Sequence, residues 1–246
     1  VYERGVWQLR FVCRHEIDPD TPGDGVAGTD LGISNFAAVS FGDETVLYPG
    51  GALKEDEHWF YKKRATRRSH FLHAVTRDAV ERCADRGVGT IVVGDLGGIR
   101  DGTDWDDTGN LDLHGWAFDR FTVMLEYKVE ARGIDVARVD ERGTSTTCST
   151  CGTEDGSQRV ERRLCVCDEC GLVANADCNG TENIRQKVLP NLATDGGRDR
   201  DTGWMAQPAV RLFDKSTGRV RPREQVDGTP QYSTRGRDPP ASSGYA

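Results

Sequence analysis

Two cysteine pairs constrain this chain more than any other feature of its sequence. Cys148-x-x-Cys151 and Cys167-x-x-Cys170 stand fifteen residues apart, and a glycine follows each pair. Each C-x-x-C turn presents two sulfurs to one ion, and the stretch between the pairs is long enough to return as a hairpin. The spacing therefore predicts a tetrahedral zinc site with these four ligands, in a zinc ribbon over residues 147–171.

The same cysteines could instead be buried thiols or two disulfides. The Cys-Gly endings are typical of zinc knuckles, and nothing else in the chain indicates secretion. Cys165 lies outside both C-x-x-C pairs, so we expect it not to bind the ion. Bound zinc would contribute on the order of 10 kcal/mol to the folding of so small an insert.

Length and chain start limit the class of protein. A chain of 246 residues can form one sizeable core with a small appendage, or two modest domains. No stretch is apolar enough to span a bilayer, and the first residues carry neither a start methionine nor a signal-peptide pattern. We therefore expect a fragment or processed product of an intracellular, cytoplasmic protein with no membrane partner.

Among the charged residues, Asp outnumbers Glu and Arg outnumbers Lys. A net charge of −8 conceals 26 Asp against 14 Glu and 26 Arg against 6 Lys. This bias resembles the proteins of salt-loving microbes, so we expect a halophilic source. An acidic total disfavours loose binding of nucleic acid by bulk charge. Arginine clusters over residues 64–68 and 159–163 could bind nucleic acid, or could be the solvated faces of a helix and a hairpin.

The hydrophobic pattern predicts strands first and alternating helices and strands after them. An edge strand over Gly5–His15 precedes a three-stranded meander, and Gly87 and Gly133 end two later helices. The predicted bounds are Val26–Asp30, Asn35–Phe41 and Thr45–Tyr48 for the meander, then Glu55–Arg86, Thr90–Asp95, an exposed loop over Asp101–Asp112, Trp116–Arg132, Ile134–Val139 and Cys178–Val188. This order matches the α/β class and the ribonuclease H-like fold, a mixed sheet with helices on its faces.

Four parts follow from that order. Residues 1–146 form the first part of the ribonuclease H-like core, residues 147–171 the zinc ribbon, and residues 172–189 the last helix of the core. The tail, residues 190–246, is rich in Gly, Pro, Arg and Asp and lacks sustained periodicity. We expect it to be largely disordered, with a short ordered patch near Trp204–Phe213.

Three aspartates fall at related places in this topology. Asp30 ends the first strand of the meander, Asp95 ends the fourth strand, and Asp177 opens the last helix. Two neighbouring parallel strands and a helix N-terminus could bring their carboxylates to one edge. Oxygen ligands around two ions roughly 4 Å apart would stabilise the attacking water and the leaving oxygen in phosphodiester hydrolysis. The pattern predicts a catalytic site for Mg²⁺ or Mn²⁺.

Each aspartate also has an alternative. Asp177 could act as a helix cap. Asp85, Asp101 or an acid in the following loop could replace Asp95, whose side chain a register error of one residue would turn to the other face. Asp30 is supported by Gly32, a small residue where a ligand must approach closely.

Five segments in chain order resemble the TnpB (OrfB) family of bacterial and archaeal insertion sequences, which is related to type V CRISPR nucleases. They are Gly28-Thr29-Asp30-Leu31-Gly32-Ile33, Val93-Gly94-Asp95-Leu96, Thr144-Ser145 with Cys148-x-x-Cys151-Gly152, Cys167-x-x-Cys170-Gly171, and Asn175-Ala176-Asp177-x-Asn179-Gly180. The resemblance implies a RuvC-type nuclease domain with an inserted zinc ribbon, guided by RNA from the element to cut DNA.

On that resemblance, Asp30, Asp95 and Asp177 would bind the catalytic metal. The chain departs from the family at Gly94, where many members carry Glu, and we expect it to be without the amino-terminal domains that grip guide RNA and target in the family. A non-catalytic nucleic-acid-binding protein, or a decayed relic that regulates transposition, would keep the same motifs. Actin-like ATPases and sugar kinases share Asp-Leu-Gly after a first strand, but they need a second phosphate loop and an adenosine site that this sequence lacks.

Overall fold

The computed structural model describes residues 2–3, 6–7, 19–32, 34–54, 61–95, 108–158, 160, 163–189 and 203–223. Their elements, in chain order, are β1 (Tyr2–Glu3), β2 (Val6–Trp7), β3 (Gly25–Leu31), β4 (Asn35–Ser40), β5 (Thr45–Pro49), α1 (Gly51–Lys54), α2 (Tyr61–Asp85), β6 (Val88–Asp95), α3 (Thr108–Glu130), β7 (Asp135–Asp140), β8 (Leu164–Val166), β9 (Val173–Asn175), α4 (Ala176–Gln186), α5 (Gly203–Ala206), β10 (Ala209–Asp214) and β11 (Arg219–Pro222).

One mixed sheet organises the core. Its strand order is β11-β10-β5-β4-β3-β6-β7. The meander β3-β4-β5 is antiparallel, whereas β6 and β7 continue the sheet in parallel with β3. Parallel neighbours need a crossover connection, and α2 and α3 supply it. The predicted ribonuclease H-like arrangement, with a meander at one side and helix–strand units at the other, is confirmed.

Helices cover the two faces of the sheet differently. The apolar sides of α2 and α3 pack on one face around Phe36, whose ring lies 5.3 Å from Phe71 and 5.6 Å from Phe121, both edge-on. Offset or edge-on aromatic pairs add to the hydrophobic stabilisation of burial. The other face carries α4, and a second cluster that includes Ala38 and Leu47 lies there. The sheet therefore separates the α2–α3 side from the α4 side.

Helix α4 carries a buried ion pair of its own, and the carboxylate of that pair is hydrogen-bonded to the sheet. The Arg185 guanidinium donates to both carboxylate oxygens of Glu182, at 2.9 and 2.8 Å, and Ser40 Oγ donates to the same carboxylate at 2.7 Å. Gly28 has no side chain where Arg185 crosses β3; a Cβ there would lie 2.7 Å from the Arg185 Cβ. Gly28 of β3 thus allows α4 to lie close against the sheet.

Two boundaries differ from the sequence prediction. Helix α3 begins at Thr108, inside the stretch expected to be an exposed loop. The ribbon hairpin runs past residue 171, because β9 pairs with β8. Most of the edge strand expected over Gly5–His15, and residues 55–60 of the long helix, lie outside the described residues.

The tail contains more structure than its composition indicates. Strand β10 pairs with β5 in parallel, and β11 extends the same sheet, so the ordered segment runs beyond the patch expected near Trp204–Phe213. A partly buried cluster holds this hairpin: Asp78 of α2 accepts from Tyr48 Oη at 2.8 Å and from Arg211 at 2.6 Å. These contacts join the tail to elements far away in the chain, so the composition of the tail does not indicate them.

Within the described residues, the helices are too short or too polar to cross a membrane.

Candidate functional site

Two matched turns bring the four cysteines together. Gly152 N–H donates to the Cys148 carbonyl at 2.8 Å, and Gly171 N–H donates to the Cys167 carbonyl at the same distance. Both glycines have a positive φ, of 76° and 75°, a conformation that other residues rarely adopt. The glycine after each pair, visible in the sequence, therefore shapes the two turns in the same way.

The four sulfurs have the spacing of a single metal site. The Sγ atoms of Cys148, Cys151, Cys167 and Cys170 all lie within 4.8 Å of one another, and the Cys148–Cys170 and Cys151–Cys167 pairs are 3.6 Å apart. Disulfide bonds would be about 2 Å long, whereas Zn–S bonds of about 2.3 Å place the sulfurs of a tetrahedron about 3.8 Å apart. The donor set therefore fits a thiophilic cation, and Cys165 lies outside it as expected.

Polar side chains of α4 bind the chain where it enters the ribbon, which we define as residues 147–175. Asn179 accepts from Ser149 N–H at 2.9 Å and donates to the Thr147 carbonyl at 2.8 Å. Asn183 donates to the same Thr147 carbonyl at 2.7 Å, and Gln186 donates to the Ser149 carbonyl at 3.0 Å. Because α4 also packs on the sheet, it links the ribbon to the core.

A second group of polar residues lies where β3, β6 and β7 end and α4 begins. We call it the acidic edge, and it consists of Asp30, Asp95, Glu141 and Asp177. Asp30 occupies the α4 side of β3, since a Cβ on Gly180 of α4 would stand 3.6 Å from the Asp30 carboxylate. The small residue on the helix leaves room beside this carboxylate.

Asp177 is in the first turn of α4, but it is not the helix cap. Asn175 is the N-cap, and its side chain accepts from the N–H groups of Asp177 and Cys178 at 2.9 and 3.4 Å. The Asp177 carboxylate instead accepts from Asn35 Nδ2 at 2.5 Å.

A β-bulge places Asn35 where it can reach α4. The register of β4 against β5 shifts between Asn35 and Ala37, and the consecutive residues Phe36 and Ala37 both belong to the cluster on the α2–α3 side. An extra residue in one strand reverses the facing of the residues before it. Asn35 is thereby turned to the α4 side, where it meets Asp177.

Asp95 lies at the same end of the sheet but on the other face. Strands β3 and β6 pair with Thr29 opposite Val93. Because side chains alternate along a strand, Asp30 shares its face with Gly94, whereas Asp95 belongs to the α2–α3 face. The structure thus places Asp30 and Asp177 on one side of the sheet. Asp95 lies at the end of β6, on the opposite side. An open cavity of about 240 Å³ there is lined by Asp95, Arg138, Val139, Asp140 and Arg142.

Glu141, which follows β7 directly, is an acidic residue that the sequence analysis did not single out. Its carboxylate fills the space beside Gly94; a Cβ on that glycine would lie 2.6 Å from Glu141 Cδ. Burial and the negative charge of Asp95 raise the pKa of Glu141 to about 7, while the charge of Lys187 lowers it. The signal that could have found this residue is its place immediately after the strand that neighbours Asp95.

The carboxylates are more widely spaced than the sulfurs. Among the residues that the structure describes, no three carboxylate groups come within 4.8 Å of one another. The ligands of a two-ion site spread over more space than those of one ion, because the two ions themselves stand roughly 4 Å apart. Of the predicted basic clusters, Arg68 is buried rather than exposed, and residues 159 and 162 lie outside the described part.

Sequence comparisons agree with the motifs. The Cas12f1-like TNB domain family matches residues 118–184. The CRISPR-associated endodeoxyribonuclease Cas12f1 of Sulfoacidibacillus thermotolerans is 35% identical over 120 residues, 49% of this chain and 26% of that protein. A TnpB-like protein of Aquifex aeolicus is 25% identical over 159 residues, 64% of this chain and 50% of the relative. The chain thus spans between a quarter and a half of these relatives.

Solved structures with the same fold come from the same group. The cryo-EM structure of the Cas12f1-sgRNA-target DNA complex matches with a TM-score of 0.56 and 19% identity, over 69% of this chain and 52% of that one. The CRISPR-Cas12f ternary complex matches with a TM-score of 0.54 and 18% identity, over 70% and 40%. At such identities the likeness shows the fold alone.

Proposed function

We propose that this chain, a member of the TnpB family by its motifs and its relatives, is the nuclease core of an RNA-guided DNA endonuclease of an insertion sequence. The observation that carries this proposal is the position of Asp30 of β3 and Asp177 of α4 on the same side of the sheet. Gly180 of α4 leaves room for the first carboxylate, and Asn35 holds the second. The partners would be DNA and a guide RNA from the mobile element.

The ribbon would hold zinc as a structural ion. Its four thiolates fit tetrahedral coordination, and burial raises the pKa of the Cys148 thiol, which a bound cation would counteract. The ion would fix the two turns, and α4 would transmit their position to the acidic edge. This arrangement supports a role for zinc in folding rather than in the reaction.

The acidic edge would hold Mg²⁺ or Mn²⁺. Asp30 and Asp177 would offer carboxylate oxygens to the cations, and a third carboxylate of the acidic edge would complete the site; the sequence alone indicates Asp95 for that role. Such ions, when bound, polarise a phosphodiester and activate water for its hydrolysis. Asn35 would orient the Asp177 carboxylate, because its amide occupies Oδ2 and leaves the other oxygen for a cation.

A cleavage assay tests this proposal directly. The chain is purified from its native host at high salt, its bound nucleic acid is sequenced, and DNA cleavage is measured with Mn²⁺ or Mg²⁺. We expect RNA from the end of a mobile element, and a fall in the cleavage rate of at least roughly 100-fold in Asp30→Ala. Cleavage that persists in Asp30→Ala would contradict the proposal.

A second candidate is a non-catalytic zinc-ribbon protein that binds nucleic acid and regulates transposition. The wide spacing of the described carboxylates favours it. In that case the chain would bind nucleic acid equally well with and without divalent cations, and neither the native chain nor Asp30→Ala would cut DNA. The assay above therefore separates the two candidates.

A further inference from the structure

The geometry points to Glu141 as the third carboxylate of the metal site, in place of Asp95. This inference rests on the proposed function, because it assumes that the acidic edge binds a divalent cation. It concerns which side chain completes the site.

The pleat of the sheet leaves β6 without a carboxylate on the face that carries Asp30 and Asp177. Asp30 and Asp177 act on the α4 face, and the position of β6 that shares this face is residue 94. That residue is a glycine, so β6 itself contributes no side chain there. Asp95, one residue later, belongs to the opposite face and lines the open cavity beside Arg138.

The space beside Gly94 is the second argument. The carboxylate of Glu141 lies where a side chain of residue 94 would begin. Asp140, the last residue of β7, pairs with Asp95 and shares its face. Glu141 comes next and therefore turns to the α4 face. A carboxylate from the neighbouring strand thus occupies the position that β6 leaves open.

The hydrogen bonding of Glu141 is the third argument. Its Oε1 atom exposes less than 1 Å² and has no hydrogen-bond partner among the described residues. Lys187 lies nearby, but its Nζ donates to the carbonyls of Asp140 and Arg142 rather than to this carboxylate. A buried acceptor that is left unsatisfied is costly, and a bound cation would satisfy it.

The turn that carries Glu141 is positioned by α4, the helix that also carries Asp177. The Glu141 carbonyl accepts from Thr144 N–H at 3.1 Å and from Thr144 Oγ1 at 2.8 Å. The Thr144 carbonyl in turn accepts from Asn183 Nδ2 at 2.8 Å. A Cβ on Gly180 would stand 3.6 Å from Asp30 Oδ2 and 3.9 Å from the Thr144 carbonyl. One helical residue therefore adjoins both Asp30 and the Glu141 turn.

Binding of Mn²⁺ to the zinc-loaded chain, measured by electron paramagnetic resonance titration, tests the assignment. We expect Glu141→Gln to weaken Mn²⁺ binding roughly tenfold or more, and Asp95→Asn to weaken it less than about threefold. Gly94→Ala should weaken binding as well, because its methyl group displaces the Glu141 carboxylate. Glu130→Gln, an exposed acid on α3, is the matched control and should leave the affinity unchanged.

A rescue variant separates ligand loss from misfolding. In the double variant Gly94→Glu with Glu141→Ala, a carboxylate reaches the α4 face from β6 itself, and we expect Mn²⁺ affinity to return to within roughly tenfold of the native value. Zinc content and the thermal unfolding midpoint should stay unchanged in Glu141→Gln, so that a lost affinity reports the lost ligand.

Two failures would be distinguishable. If Asp30→Asn weakens Mn²⁺ binding but Glu141→Gln does not, or if Asp95→Asn has the larger effect, this inference is wrong and the proposed function stands. If the native chain binds no Mn²⁺, or if Asp30→Asn leaves the affinity unchanged, the proposed function fails and the inference fails with it.

Discussion

The ribbon and the acidic edge are assembled over very different distances along the chain. Cysteines that meet across the ribbon are up to 22 positions apart, whereas Asn35 and Asp177 are 142 positions apart. Two short turns of the same design place the sulfurs. The positions of the carboxylates depend on strand register, on a β-bulge and on the packing of α4 against the sheet. The ribbon is therefore expected to tolerate changes in the sheet, and the acidic edge to be sensitive to them.

Loss of one of the four clustered cysteines should have the largest effect, confined to the ribbon. In Cys167→Ser we expect zinc to be lost and the ribbon to lose stabilisation on the order of 10 kcal/mol, since folding and metal binding are coupled in small metal domains. Zinc content and hydrogen exchange would measure this: residues 147–175 should lose protection while β3 and β4 keep it. Cys165→Ser, a change outside the donor set, should retain the metal.

Breaking the ion pair under α4 should affect the acidic edge and spare the zinc site. Arg185→Met leaves the Glu182 carboxylate buried without its cation, and we expect the free energy of unfolding to fall by about 3 kcal/mol. Denaturant unfolding gives this value. We also expect Mn²⁺ affinity to fall and zinc content to stay constant. Loss of zinc in this variant would show that the two regions are not separable.

Removal of the amide that holds Asp177 should have a smaller effect. Asn35→Ala is expected to weaken Mn²⁺ binding by roughly tenfold, because an outer partner orients the ligand. Titration with Mn²⁺ measures the change. Its counterpart is Asn179→Ala, whose amide binds the entrance of the ribbon. That variant should lower stability without changing Mn²⁺ affinity; equal effects of the two changes on affinity would contradict the comparison.

An exposed ion pair beside the acidic edge should matter least. Arg142 lies 3.7 Å from Asp140, and its side chain is 84% exposed. Solvent screens such a pair, so Arg142→Met should change the free energy of unfolding by about 0.5 kcal/mol or less. Urea unfolding at low and high salt measures it. A loss comparable to that of Arg185→Met would mean that burial does not explain the difference between the two arginines.

Much of the fold follows from local patterns. The three strands of the meander, the long helix before Gly87 and the strand ending at Asp95 lie within a few residues of their predicted bounds. Apolar residues at period two or at helical spacing determine these elements, and glycines end the helices. The ordered patch expected near Trp204–Phe213 covers most of β10, but β11 was not predicted, because the hairpin is stabilised by pairing with β5 and by Asp78, both distant in the chain.

The two sites differ in the same way. The residues of each Cys-x-x-Cys-Gly motif determine the geometry of its turn. The sequence alone therefore indicated the four sulfurs of the cluster and the position of Cys165 outside it. The facing of Asp95 could not, because one residue of register decides which side of the sheet a carboxylate occupies. Glu141 carries no motif of its own, and its role depends on the glycine at position 94 of a neighbouring strand.

The amino-acid sequence by itself determined the class of fold and the four-cysteine site, because each depends on periodicity or spacing within a short segment. Only the tertiary structure decided which acidic side chains share a face. That choice depends on strand pairing, on the bulge at Asn35 and on the close approach of α4 over Gly28, all of which join residues far apart in the chain. Interactions of that range have no local signature, since they exist only when the sheet has formed.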